Sequence, residues 1–192
     1  MDEFRPSATT RILDVGGFPD DWKAYLIPGQ RTTLNLEQAD YAGFEGREAE
    51  FVVGDGRQMN YENRAFDIVY SNSVIEHLST FGDQARFASE ARRVGDGLWV
   101  QTPARCFFLE PHFLMPFVHY FPRALRLRLV RYFSIWGWLT RPSRQAAETM
   151  VNEIRLLNHQ EMLTLFPDCC ILKEKFFGLT KSYIAIRRQA SC

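Results

Sequence analysis

The chain has few cysteines, and they are badly placed for metal binding. Only Cys106, Cys169, Cys170 and Cys192 occur in 192 residues, none in a C-x-x-C pair and none at ligand spacing from a histidine. That excludes a zinc ribbon or finger and suits the free thiols of a reducing cytoplasm, the expected location. Neither sign of charge is in excess: Lys plus Arg and Asp plus Glu each number 23. The balance removes any global ground for nucleic-acid binding, and none is expected. No apolar run approaches the roughly 18–20 residues that cross a bilayer. The opening MDEFRPSATT carries acids where a secretory leader needs an apolar core. Internal repeats and low-complexity segments are also missing.

What the chain does have is apolar material, 46% hydrophobic against 24% charged. This is the mix of a globular protein, and the length fits one domain with a sizeable insertion. Short apolar or β-branched runs at 11–15 (RILDV), 32–36 (TTLNL), 50–53 (EFVV), 66–70 (FDIVY) and 97–102 (GLWVQT) read as strands. A helix follows over 83–94, with Phe87, Ala91 and Val94 on one side. Another starts at Pro19-Asp20-Asp21, where acids suit the first turn. Helix-sized gaps between strands predict crossover units and a parallel sheet. Later, 158–166 reads as a helix capped by Asn158. Residues 170–177 and 181–187 read as an antiparallel pair at the sheet edge, with Cys169 and Cys170 opening a buried strand. The expected fold is α/β, a doubly wound, mostly parallel seven-stranded sheet with an antiparallel terminal hairpin.

Polar residues gather at the strand ends. Asp14, Gly16 and Gly17 close the first strand, Glu37 the second, Asp55 and Gly56 the third, and Ser71 and Asn72 the fourth. In an open parallel sheet, ligands bind beyond these carboxyl ends, near the point where strand order reverses. Glycines admit a ligand close to the backbone. An acid after the second strand can accept both ribose hydroxyls, and one after the third can accept an adenine amino group. The order describes a nucleoside-shaped site.

The segments ILDVGG, LNLE, VVGDGRQM, FDIVYSNSVIEHL and GLWVQTP resemble the successive motifs of class I S-adenosylmethionine-dependent methyltransferases, most of all the small-molecule type (type 11-like). The resemblance covers residues 10–103, and more loosely the ending GLTKSYIAIRR. It implies a Rossmann-like methyltransferase fold with S-adenosyl-L-methionine as cofactor. Asp14 would then orient the glycine loop, and Gly16 and Gly17 would pass under the methionine portion. Glu37 would bind the ribose, with Asn35 a competing candidate. Asp55 would take the adenine amino group, with Gly56 and Arg57 beside the ring. Ser71 and Asn72 would line the methionine end.

The sequence departs from this pattern in the loop after the first strand. Gly16 fits, but Phe18 and Pro19-Asp20 replace later glycines, and Gly17 is expected to supply the positive φ that Phe tolerates poorly. The leading helix that covers the cofactor in many relatives is expected to be short or absent. A nicotinamide oxidoreductase would need G-x-G-x-x-G where this chain reads GGFPDD.

Residues 104–150 stand outside the minimal domain and are expected to form a substrate-side cap within a single domain spanning 1–192. They hold Phe107, Phe108, Phe113, Phe117, Tyr120, Phe121, Tyr132, Phe133, Trp136 and Trp138, with arginines at 123, 126, 128 and 131 and one helix over 123–139. The expectation is an apolar acceptor pocket, with peripheral membrane contact through 105–141 as a sharper reading and a dimer interface as a third.

Methyl transfer to a hydroxyl needs the proton removed, and histidine is the natural base near neutral pH. His112 and His77 are the preferred candidates, ahead of His119; nothing in the sequence calls for a metal. The reading is methyl transfer to a small-molecule, sugar or lipid-like acceptor, at oxygen. The alternatives are a catalytically inactive scaffold of the same fold and a membrane-associated binding protein.

Overall fold

β-Branched and apolar runs flanked by glycine or acids form the strands, because such side chains fill both faces of a covered sheet. In the computed structural model, which describes residues 4–17, 28–37 and 49–188, these are β1 (Arg11–Val15), β2 (Gln30–Asn35), β3 (Ala49–Val53), β4 (Phe66–Asn72) and β5 (Gly95–Pro103). They run parallel, and β1 lies between β2 and β4. A two-stranded ladder, β6 (Leu109–Glu110) with β7 (Met115–Pro116), stands apart. The hairpin β8 (Cys170–Phe176) and β9 (Leu179–Arg187) completes the seven-stranded sheet in the order β3-β2-β1-β4-β5-β9-β8, with β9 antiparallel to β5. The expected helix after Pro19 lies outside the described residues.

Helix α1 (Phe81–Val94) is capped by Thr80, whose side chain accepts from the Asp83 amide. It buries Phe87, Ala88, Ala91 and Val94 on Leu13, Val69 and Leu98 of the sheet. A late helix, labelled α5 (His159–Leu165), has a full capping box between Asn158 and Glu161 and adds Met162 and Leu165 to the same core.

The 123–139 segment is two helices rather than one. Helix α2 (Arg123–Phe133) ends at Ser134, which is extended and starts α3 (Ile135–Thr140) by accepting from the Gly137 amide. The Ser134 hydroxyl also donates to Val130 O, closing the corner. A Cβ at Gly137 would collide with the Val130 carbonyl, so the corner needs glycine. A further helix, α4 (Arg144–Glu153), capped by Ser143, runs past residue 150. Together these elements enclose a second core of Phe113, Val118, Val130, Val151, Ile154 and Leu156. Among the described residues no helix is long and apolar enough to cross a membrane.

The expectation for Cys170 is corrected. Strand β8 is the sheet edge and is largely exposed, Cys170 included, while Cys169 packs partly against the main core.

Candidate functional site

A cleft of about 400 Å³ opens at the carboxyl ends of β1, β2 and β3, beside the β1/β4 switch point. Of the residues singled out in the sequence, Gly16, Asn35, Glu37, Asp55, Gly56 and Arg57 line it. Gly16 is the left-handed residue of the loop, at φ 77°. Gly17 is glycine for another reason: a Cβ there would occupy the buried Asp14 carboxylate. The positive φ expected of Gly17 therefore belongs to Gly16. The Asn35 side chain donates to Gly17 O at 2.8 Å and fixes the loop from β2. Phe18 and Pro19 lie outside the described residues.

Asp55 and Arg57 form a local clamp. The Arg57 amide and Nε donate to Asp55 Oδ1 at 2.8 and 2.9 Å, and Nη2 reaches Oδ2 at 2.7 Å. Arg57 Nη1 also pairs with Asp83 of α1 at 3.0 Å. The Arg57 hydrogen bond holds the Asp55 carboxyl below its ordinary range. The carboxylate thus enters the cleft ionised and already oriented, with Arg57 donating to both of its oxygens.

Four expected site residues are not in the cleft lining: Asp14 and Gly17, which build the loop beneath it, and Ser71 and Asn72. Ser71 is fully buried and its hydroxyl donates to Val15 O at 3.0 Å, joining β4 to β1 inside the sheet. Asn72 is exposed at the β4 end, and neither lines the cleft. Their place is taken by Val74, Leu78 and Phe87, which wall the cleft with apolar surface. Sequence alone hides them, because they belong to a turn and a helix that fold back over the sheet.

Beyond β4 a turn of 3-10 helix, Ile75–His77, brings Glu76 and His77 to the far side of Val74 and Leu78. Gln84 of α1 holds this turn by donating to Ile75 O and Arg155 O, each at 2.9 Å. Glu76 is fully buried; its Oε2 accepts from Thr102 Oγ1 at 2.9 Å. Burial pushes its carboxyl up to about 7, against the downward pull of the backbone, Thr102 and His112. His112 meets His77 here, Nε2 to Nε2 at 3.2 Å, with the rings perpendicular. Its Nδ1 lies 2.6 Å from Glu110 Oε1, and Glu110 Oε2 accepts from the Phe113 amide at 2.8 Å. Burial lowers both imidazoles; for His112 the Glu110 hydrogen bond and the two carboxylates outweigh it and leave the ring raised, while His77 stays lowered. The two histidines named from sequence thus come together, each with an acid. Paired spacing (Glu76-His77 and Glu110-Pro-His112) was the available signal for Glu76 and Glu110. His119 is apart, bonded to Arg105 O at 2.9 Å.

A second cavity, of about 310 Å³, lies under the helical layer. Phe113, Val151, Ile154 and Leu156 form one wall, but Arg105, Glu110, His119, Arg126 and Arg155 form the rest. The apolar pocket expected here is polar instead, because α2 turns Arg126 inward. Its buried Nε has no hydrogen-bond partner among the described residues.

Residues 28–96, less than half of the chain, match the methyltransferase domain family. No curated protein matches the chain in sequence. Among solved structures, a SAM-dependent methyltransferase from Methanosarcina mazei is similar at TM-score 0.52 and 14% identity, covering 95% of this chain and 92% of that one. A Pyrococcus horikoshii protein gives 0.54 and 16%, covering 94% and 82%. PigF, solved with SAH, gives 0.56 and 12%, covering 93% of this chain and 56% of PigF. At these identities the likeness is one of fold. Residues 28–96 thus carry a methyltransferase-domain match, within a fold that the chain shares with S-adenosylmethionine-dependent methyltransferases.

Proposed function

We propose that the protein transfers the methyl group of S-adenosylmethionine to an oxygen of a small-molecule, sugar or lipid-like acceptor. The carrying observation is that Gly16, Glu37, Asp55 and Gly56, drawn from three strand ends, line one cleft. In this reading Glu37 accepts from the ribose hydroxyls and Asp55 from the adenine amino group. Gly56 stands beside the base, and its lack of a Cβ leaves Val15 and Phe87 in place on the cleft wall. Asp14 beneath the Gly16-Gly17 turn supports the methionine end. Residues 104–150 serve as the acceptor-side cap, and the Arg105–Arg126 cavity suits an acceptor with an anionic group.

The methyl on a sulfonium is already activated, so the protein's task is alignment of acceptor oxygen, methyl carbon and sulfur. The oxygen–methyl bond forms as the carbon–sulfur bond breaks, and the hydroxyl proton leaves at the His77–His112 cluster. Calorimetric titration with S-adenosylmethionine and its demethylated product tests the cofactor reading. Binding should weaken more than about tenfold in Glu37→Ala and in Asp55→Ala, each losing a charge-assisted hydrogen bond. A folded wild-type protein that binds neither compound would instead favour an inactive scaffold.

One surface favours peripheral membrane contact in addition. Helices α2 and α3 expose Leu125, Tyr132, Phe133, Ile135, Trp138 and Leu139 beside Arg128 and Arg141. Aromatic and aliphatic side chains ringed by arginine suit an anionic bilayer surface. Flotation with anionic vesicles should be lost in a Phe133→Ser, Trp138→Ser, Leu139→Ser triple variant. Equal flotation of wild type and variant would remove the membrane reading.

A further inference from the structure

We propose that Glu76, His77 and His112 form a binding site for one divalent transition-metal ion. The ligand atoms are Glu76 Oε1, His77 Nε2 and His112 Nε2, which converge within 4.8 Å of one another. The two nitrogens are 3.2 Å apart, and Oε1 lies 4.0 Å from His112 Nε2. Two tetrahedral ligands at about 2.1 Å from one ion stand about 3.4 Å apart, so the nitrogens are already placed and Glu76 Oε1 needs to close in by about half an ångström.

Three features make this more than proximity. First, Glu76 Oε1 is buried and has no hydrogen-bond partner among the described residues, although Oε2 of the same group is satisfied by Thr102. A buried carboxylate oxygen without a donor is costly, and a cation aimed at it removes the cost. Second, the histidines face each other through nitrogens of the same kind. His112 Nδ1 is committed to Glu110, which leaves a lone pair on Nε2 pointing into the cluster. Third, Glu110 is the outer carboxylate that metal-bound histidines characteristically use to fix tautomer and ring orientation, and it is itself held by the Phe113 amide.

The ligand types decide the ion. Two imidazoles and one carboxylate suit Zn²⁺, Mn²⁺, Fe²⁺ or Co²⁺ rather than the all-oxygen preference of Ca²⁺ or Mg²⁺. Three protein ligands leave further positions open, and His77 lies on the exposed side of the cluster.

A role in the reaction rests on the methyl-transfer reading above. Val74 and Leu78, on either side of the turn that carries Glu76 and His77, wall the cofactor cleft. An ion here would bind the acceptor hydroxyl and acidify it. The proton passes to solvent, the oxygen takes the methyl carbon, and the carbon–sulfur electron pair stays with sulfur. With the ion bound, the histidines act as ligands, and the proton-accepting role proposed above passes to solvent.

The test uses the full chain, stripped with a chelator, loaded separately with Zn²⁺ and Co²⁺, and desalted. Metal analysis should find about one ion per chain, and Co²⁺ should give a visible ligand-field spectrum. Both signals should be lost in a His77→Ala, His112→Ala double variant whose circular dichroism and melting match wild type. Glu110→Gln should weaken binding by about 10–100-fold, while His119→Ala should leave it unchanged. A wild-type protein that retains no more ion than the double variant would overturn the site. S-adenosylmethionine titrated into the stripped protein separates the two readings. Cofactor binding without ion uptake removes the metal site alone. Ion uptake without cofactor binding keeps the site and removes its role in methyl transfer.

Discussion

The cleft at the ends of β1 to β3 and the helical layer over 104–157 are built in opposite ways. The cleft is assembled from the ends of adjacent parallel strands, so each lining residue follows its own strand in sequence. The layer has its own core around Phe113, Val130 and Val151, held by packing between short helices. The first is fixed by the sheet; the second is anchored to it at its ends, through Ala104, Arg155 and Leu157, and is otherwise held by its own core. Cofactor binding and acceptor choice should therefore respond to different mutations.

The largest separation should come from the histidine cluster. His112→Ala should lower turnover by about 10²–10⁴-fold, with the affinity for S-adenosylmethionine within about twofold of wild type. An equal loss in both would mean that the cluster belongs to the cofactor site. Next are the two cores. Phe87→Ala and Phe113→Ala should each cost about 3–5 kcal/mol in denaturant unfolding. Only Phe87→Ala, whose ring walls the cleft, should also weaken the cofactor. A smaller pair sharpens the same contrast. Gly17→Ala should cost about 1–3 kcal/mol and disrupt cofactor binding by pushing on Asp14. Gly137→Ala should cost a similar amount at the α2–α3 corner and leave cofactor binding intact.

The smallest effect concerns pH. Burial pulls Asp168 upward, but hydrogen bonds from Arg92 and Arg187 outweigh it and hold the carboxyl below its ordinary range. Because the folded value is the lower one, its contribution is complete above the unfolded value, near 3.8. It is lost as pH falls through the folded one. At 36% exposure of its side chain, solvent screening limits it to under about 1 kcal/mol. Asp168→Asn should remove that part of the acid sensitivity in melting curves taken below about pH 4.

The same contrast explains what could be read from sequence. Strands β1 to β5 and β9 were legible because burial imposes short apolar runs between turn residues, and β8 because a short glycine turn joins it to β9. That Gly16, Glu37 and Asp55 line one cleft was legible because strand ends carry their own punctuation. The inward turn of Ser71 was not legible: a small polar residue at a strand end can face inward, and here it bonds the neighbouring strand. The corner at Ser134 was hidden because 123–139 contains no proline, and its break depends on a side-chain bond to Val130 O. The Glu76–His77–His112 group was legible only as pieces, since its members lie 35 residues apart and meet through tertiary packing. Cys170 shows the limit of apolar runs, which do not tell an edge strand from a central one.

The place of β9 has a consequence for how the chain comes to be folded. Strand β5 emerges early, but its outer neighbour, β9, is not present until residues Leu179–Arg187 have been made. Until then β5 presents a row of open backbone donors and acceptors, although its own side chains are among the most buried in the finished protein. Arg187 then closes the edge, donating to the Arg92 and Gly95 carbonyls at 2.9 and 2.6 Å. A nascent chain that has not yet made β9 therefore carries an open sheet margin, the kind of surface at which chaperones bind and aggregation starts.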